Sequence, residues 1–309
     1  MYRHLARLLI VGAILTLVTT PAVGESTEST VPRPMPAFGP SITIDPDGPR
    51  FDMASLRGKA VLVIFMQSWC GACNGWSKAL IPQLEATYGI EDGWVLLAIK
   101  TDGGGVSGAK DYLRNQGGNP DRWLIAADHD AVWYRQITGD NQLWRYALVT
   151  ADGTLTYVHR SGLIISNSNP RTFLIAHKKR EFERQVGQRR ALLPAEGRYG
   201  VALAPVVLRA EVGDLPGAFR MLQQAGQSDA ATRLRSDLDT MLNERCAALM
   251  AEARSAADPS ARMPPLVSLL AFIAGIERHP GLAEVTAFIQ EQRRDQSMRR
   301  EFQAWDQWQ

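Results

Sequence analysis

Residues 60–73 read AVLVIFMQSWCGAC, and this stretch decides the fold. Its first half, Ala60–Met66, is an unbroken apolar run rich in β-branched residues, which is typical of a strand buried on both faces of a sheet. Cys70 and Cys73 follow directly, and a helical pattern runs on to about residue 88. The stretch therefore predicts a buried strand that gives way to a helix, with a cysteine pair at the junction.

The residues after this stretch predict an α/β domain. Two further apolar runs, Trp94–Ile99 and Trp123–Ala127, alternate with helical segments, and Asp152-Gly153 marks a hairpin between two short strands. Strands that alternate with helices and end in a hairpin predict a three-layer α/β domain, which we assign to residues 38–168.

The strand signal disappears after Pro170. Six helical patterns follow, so residues 170–309 are expected to form an all-α domain. Residues 25–37 are rich in serine, threonine and proline, and we expect them to be an extended linker.

Residues 1–24 have the three parts of a secretory signal. Arg3 and Arg7 are basic, Leu8–Val18 is apolar, and Ala22-Val23-Gly24 offers small residues for cleavage. We expect export to the periplasm or the medium. The alternative is an uncleaved anchor, but the apolar run is shorter than the about 20 residues that span a bilayer.

Charge excludes some classes of partner. The chain has 34 basic and 32 acidic residues, and Arg3 and Arg7 account for the difference, so the mature chain is expected to be neutral. Nothing in this balance favours nucleic acid, and a membrane partner is expected only if residues 1–24 are retained. Apolar residues make up 45 %, enough for a large core.

Cys70 and Cys73 are the candidate catalytic residues. A cysteine at a helix N-terminus lies near unpaired backbone N–H groups, which favour the thiolate. Cys70 is therefore the expected nucleophile and Cys73 the resolving thiol of a thiol–disulfide exchange. A structural disulfide or half of a zinc site are the alternatives. We expect no metal and no cofactor, since no second close Cys or His pair occurs.

The segment Trp69–Cys73, together with the preceding strand, resembles the active-site segment of the thioredoxin family. The stretch Phe51–Lys59 is similar to that of the envelope thioredoxin-like proteins, which include periplasmic reductases of cytochrome c maturation. The resemblance covers residues 38 to about 165. It implies a thioredoxin-like fold, protein thiols or disulfides as substrates, and a redox partner that supplies or accepts electrons.

The sequence departs from the family pattern at three places. The family has a cis-proline before the hairpin strand, but no proline occurs between Pro120 and Pro170, and Leu143 or Trp144 stands near that place. The two positions where members carry a buried acid are Ile64 and Trp76 here. The dipeptide between the cysteines is Gly-Ala. The residues expected to contact substrate are Trp69, Gly71, Ala72 and Trp144.

Two functions remain open at this point. The first is an exported thiol–disulfide oxidoreductase that acts on protein disulfides or dithiols, without a preference between reduction, oxidation and isomerisation. The second is a thioredoxin-fold interaction protein with little or no redox turnover, which the missing acid and proline favour. The third cysteine, Cys246, lies in an amphipathic helical pattern and is expected to be a buried structural thiol.

Overall fold

A mixed sheet organises the first half of the chain. The computed structural model describes residues 32–139, 145–158, 178–193 and 199–308. The strands are β1 (Arg33–Pro34), β2 (Ile42–Ile44), β3 (Ala60–Met66), β4 (Trp94–Lys100), β5 (Leu124–Asp128), β6 (Tyr146–Val149) and β7 (Thr154–Val158). Within the described residues they form one sheet in the order β1-β7-β6-β3-β4-β5-β2.

The predicted strand β3 lies at the centre of this sheet. All seven of its side chains are buried. It pairs in parallel with β4 and antiparallel with β6, and β5 continues the parallel part beyond β4. Because parallel strands need crossover connections, helices must pass over the faces of the sheet.

Three helices cover the two faces of the sheet. They are α1 (Gly71–Thr87), α2 (Gly105–Asn115) and α3 (Val132–Thr138). Leucines and other apolar side chains of α1 and α2 pack with Leu62 and Ile64, whereas α3 packs with Val63 and Phe65 on the opposite face. The alternation of side chains along β3 thus feeds two cores, and the predicted three-layer α/β domain is confirmed.

The second half of the described chain is helical, as expected. Its helices are α4 (Lys178–Gln185), α5 (Ala204–Glu211), α6 (Leu215–Gln224), α7 (Asp229–Ser255), α8 (Pro259–Ile273), α9 (Ala283–Arg294) and α10 (Arg299–Trp308). Most of their buried residues form one apolar cluster, which includes Cys246. The prediction of an all-α part after the α/β part is confirmed.

The first edge of the sheet lies inside the stretch expected to be a linker. Arg33 and Pro34 pair with β7, and the Arg33 guanidinium donates to the carbonyl oxygens of Gln136 and Ile137 at the end of α3, at 2.8 and 2.7 Å. A two-residue strand has no periodicity that a sequence pattern could detect, so its place is set by its pairing with β7 and by the Arg33 side chain.

Helices of the second half complete the cores of the first half. Phe182 and Val186, from α4 and the residue after it, lie in the core beneath α1, and neither is exposed to solvent. Leu208 and Val212, from α5 and its C-terminus, lie in the core on the opposite face. The α/β part is therefore covered by residues that come after position 170 in the chain.

A buried ion pair joins the two halves. Lys59, directly before β3, binds Glu211 of α5, and their side chains are 2 % and 0 % exposed. The Glu211 carboxylate also accepts the backbone N–H groups of Leu192 and Leu193, at 2.8 and 2.7 Å. Burial lowers the pKa of Lys59, and the Glu211 carboxylate opposes that shift. Each charge thus depends on the other for its place in the interior.

Glu211→Ala should destabilise the protein by about 3–5 kcal/mol, because it leaves the Lys59 ammonium buried without its counter-charge. The free energy of unfolding from urea titration measures this. Glu252→Ala, at an exposed position of α7, is the matched control and should change stability by no more than about 0.5 kcal/mol. Equal losses in both variants would contradict a special role for Glu211.

Phe182→Ala should cost about 3–5 kcal/mol, because the side chain is fully buried in the core beneath α1. The control is Leu192→Ala, between α4 and α5. Its side chain is 41 % exposed, so this change should be close to neutral. Urea titration with a near-ultraviolet signal reports both. If Phe182→Ala lowers the free energy of unfolding no more than Leu192→Ala does, then α4 is not part of the core beneath α1.

Candidate active site

The cysteine pair lies where β3 meets α1. The strand ends at Met66, and Cys70 is the N-cap residue of α1, with extended backbone angles of φ −83° and ψ 99°. Its carbonyl accepts the N–H of Asn74 at 3.0 Å, which is the first hydrogen bond of the helix. Its sulfur accepts the backbone N–H of Cys73 at 3.1 Å. Cys70 thus does with sulfur what an N-cap oxygen does elsewhere.

Cys70 and Cys73 form a disulfide. Their Cα atoms are 5.2 Å apart, within the normal range for such a bond. Cys70 is 7 % exposed and Cys73 4 %. Both sulfurs lie at the N-terminus of a 17-residue helix, where unpaired N–H groups and the helix dipole stabilise negative charge. On reduction, this environment favours a thiolate at Cys70, the chemistry needed for exchange.

Two of the four residues expected to contact substrate, Trp69 and Gly71, are exposed beside Cys70. Trp69 is 67 % exposed directly before Cys70, and Gly71 is exposed directly after it. Ala72 is the second residue of α1. Trp144 lies outside the described residues. An exposed indole beside a disulfide gives a partner chain an apolar surface to contact, and this role of Trp69 stays a prediction.

The two positions at which the family pattern places a buried acid carry Ile64 and Trp76 in this chain. Ile64 is 4 % exposed and packs in the core beneath α1, and Trp76 is a half-buried residue of that helix. Two other buried acids have local structural partners. Asp128 accepts the N–H groups of Val132 and Tyr134 at the start of α3, and Glu85 accepts the indole N–H of Trp123 at 2.6 Å.

A charged pair, which the sequence reasoning missed, lies beside the cysteine loop. Lys100 ends β4 and binds Asp102, and their side chains are 4 % and 7 % exposed. Asp102 accepts the backbone N–H of Ser68 at 2.5 Å and its hydroxyl at 2.8 Å. Lys100 also donates to the Ser68 hydroxyl, at 3.1 Å. Asn74 donates to the Ser68 carbonyl at 3.0 Å, so Ser68 is held from both sides.

The strand register explains why these groups meet. β3 and β4 run in parallel, and Met66 pairs with Lys100 in the sheet. The residues that follow each strand therefore leave the same edge of the sheet side by side. The signal in the sequence is a lysine and an aspartate, Lys100 and Asp102, at the end of the apolar run that follows the cysteine-bearing segment.

Asp102 is ionised in this arrangement. Burial by itself would raise the pKa of its carboxyl, but the hydrogen bonds from Lys100 and Ser68 and the charge of Lys100 outweigh burial and lower the pKa below its ordinary value. The pair is thus a carboxylate with an ammonium, and its net charge is zero. Ser68, in the loop that carries Cys70, is therefore hydrogen-bonded to one positive and one negative side chain, whose charges cancel.

Cys246 is buried, as expected. It is 2 % exposed inside the helical core, and burial raises the pKa of its thiol to about 11. A thiol with such a pKa stays protonated at neutral pH and is a poor nucleophile.

Among the described residues no helix is long and apolar enough to cross a membrane, and no group of three or more potential metal ligands occurs.

Comparison with known proteins found no matching family model and no matching curated protein. Solved structures do match. One is described as a secreted Mycobacterium tuberculosis disulfide oxidoreductase homologous to E. coli DsbE, with 24 % identity and a TM-score of 0.31 over 38 % of this chain and 80 % of that one. Another is a thioredoxin-family thiol:disulfide interchange protein from Chlorobium tepidum, with 21 % identity and a TM-score of 0.35 over 51 % and 98 %.

A putative thioredoxin from Neisseria meningitidis matches at 18 % identity with a TM-score of 0.34, over 42 % of this chain and 81 % of that one. The fold itself is evident from the strand order, the three layers and the cysteine pair between β3 and α1. The described part of residues 32–158 has a thioredoxin-like fold.

Proposed function

We propose that this protein is an exported thiol–disulfide oxidoreductase that exchanges disulfides with protein substrates through Cys70 and Cys73. The observation that carries the proposal is the disulfide between the N-cap residue of α1 and a residue of its first turn. There the reduced sulfur of Cys70 would be activated by the helix N-terminus. The exposed indole of Trp69 supports contact with a polypeptide substrate.

The exchange moves two electrons and conserves the number of disulfide bonds, because each one that breaks is matched by one that forms. In the reducing direction, the Cys70 thiolate attacks one sulfur of a substrate disulfide, and the other substrate sulfur leaves as a thiolate. The Cys73 thiolate then attacks Cys70 in the mixed disulfide and releases the second substrate thiol. The protein ends with the Cys70–Cys73 disulfide, and a dithiol donor must reduce it before the next cycle. Oxidation of a substrate dithiol is the same sequence reversed.

Burial favours Cys70 over Cys73 as the attacking sulfur only slightly, but helix position favours it strongly. Cys70 is the N-cap residue, and its sulfur already accepts the N–H of Cys73. A thiolate at Cys70 would keep this hydrogen bond, and a bond from N–H to a charged acceptor is stronger than one to a neutral acceptor. Cys73, one turn into the helix, is then placed to resolve the mixed disulfide.

With dithiothreitol as electron donor, the protein should accelerate the reduction of insulin, and Cys70→Ser should abolish the acceleration. Cys73→Ser should retain attack but lose resolution, so mixed disulfides with substrate should accumulate on non-reducing gels. Turbidity of precipitating insulin chains measures the rate. Cys246→Ala, which removes the buried thiol of the helical core, is the control and should behave as wild type.

Absence of both insulin reduction and trapped mixed disulfides would contradict an exchange function. If a strain carrying Cys70→Ser/Cys73→Ser also retained the wild-type phenotype, the thioredoxin-like domain would serve as an interaction scaffold. The apolar residues Ile64 and Trp76 at the two acid positions favour that second function, whereas the disulfide at a helix N-terminus favours exchange.

Export is the second part of the proposal, and it rests on the signal pattern of residues 1–24. Expression of the full chain in a Gram-negative host should give a periplasmic protein whose N-terminus lies close to Glu25. N-terminal sequencing after osmotic shock measures this. Leu15→Arg, which breaks the apolar run, should keep the chain in the cytoplasm. An intact Met1 on a membrane-bound product would support an anchor instead.

A further inference from the structure

The charged pair Lys100–Asp102 contacts the cysteine loop at Ser68, and the exchange mechanism does not use it. Both side chains are more than nine-tenths buried, yet the residue they bind, Ser68, is exposed. Burial of two charges costs several kcal/mol per ion unless each is well paired, so their presence at this edge of the sheet needs a physical reason. Among the described residues, Ser68 is the only one that is hydrogen-bonded to both Lys100 and Asp102.

The pair lies within electrostatic reach of the cysteine pair. Ser68 precedes Cys70 by two residues, so their Cα atoms are at most about 7 Å apart. The Asp102 carboxylate and the Lys100 ammonium are in hydrogen-bond contact with Ser68. Both charges are shielded from water, so salt screens them less than it screens surface charges.

We propose that Lys100 and Asp102 are positioning residues that fix the cysteine loop through Ser68 and, by cancelling each other's charge, set the reduction potential of the Cys70–Cys73 couple. This inference deepens the proposed exchange function and rests on it. Neither residue touches a reacting sulfur in the described structure; both act through the loop and through the field at Cys70.

The sign of an uncompensated charge near Cys70 determines the direction in which the reduction potential shifts. A positive charge near Cys70 stabilises its thiolate, which stabilises the reduced form and makes the disulfide a stronger oxidant. A negative charge does the opposite. The intact pair applies neither bias. Its two members should therefore have opposite effects on the potential when each is neutralised alone, whereas two residues that only support the loop should have effects of the same sign.

Three variants separate charge from structure. Asp102→Asn keeps an oxygen that can accept from Ser68 and leaves the charge of Lys100 unbalanced. Lys100→Gln leaves Asp102, which retains two hydrogen bonds from Ser68, as an unbalanced carboxylate. Ser68→Ala removes the hydroxyl that both charges contact but leaves the pair neutral. Because Ser68 is exposed, this last variant should fold normally.

The experiment is equilibration of the purified full chain with mixtures of reduced and oxidised glutathione, with the fraction of reduced protein read by thiol alkylation and gel shift. Asp102→Asn should shift the equilibrium toward the reduced form by about threefold to tenfold, which is about 14 to 30 mV. Lys100→Gln should shift it by a similar factor toward the disulfide. Ser68→Ala should shift it by less than either, and Lys100→Gln/Asp102→Asn should return close to wild type.

Shifts of the same sign in the two single variants, no shift in either, or a shift in Ser68→Ala as large as theirs would overturn the inference. If Lys100→Gln does not fold by circular dichroism, the sign of the Asp102→Asn shift decides alone. The measurement needs only the disulfide and glutathione. A wild type that fails to reduce insulin would therefore contradict the proposed function, while these shifts would still test the charge pair.

Discussion

Strand β3 imposes the constraint on which the rest of this structure depends. All seven of its side chains are apolar and buried, so the strand needs backbone partners on both edges and apolar cover on both faces. β4 and β6 supply the edges, and α1, α2 and α3 begin the cover. β3 ends at Met66 and α1 begins at Gly71, so Cys70 lies in the short turn between them. The same burial that stabilises the fold therefore fixes the place of the site.

The cover is completed by the helical half of the chain. Phe182 and Val186 close one face, while Leu208 and Val212 close the other. Lys59 stands at the entrance to β3, and its buried ammonium is matched by Glu211 of α5, so the start of the central strand is held by the second half. A buried pair adds little net stability over an apolar one, but removing either member leaves the other charge buried and uncompensated, which disfavours arrangements that separate them.

A buried ion pair thus lies at each end of β3. Lys59–Glu211 links the strand's start to the helices, and Lys100–Asp102 links the loop after its end to β4. The strand, both cysteines and the helix they begin could be predicted from periodicity and spacing alone. Glu211 and Asp102 could not, because each acts on a residue that is 152 or 34 positions away in the chain.

The sequence by itself determined the elements and the chemistry: an apolar β-branched run makes a buried strand, a following helix has an electropositive N-terminus, and two cysteines three positions apart there can form a disulfide. Each of these follows from neighbours along the chain. Only the tertiary structure decided which charges stand beside that disulfide and which helices close the cores. Those contacts depend on strand register and on packing between distant segments, and local periodicity carries no information about either.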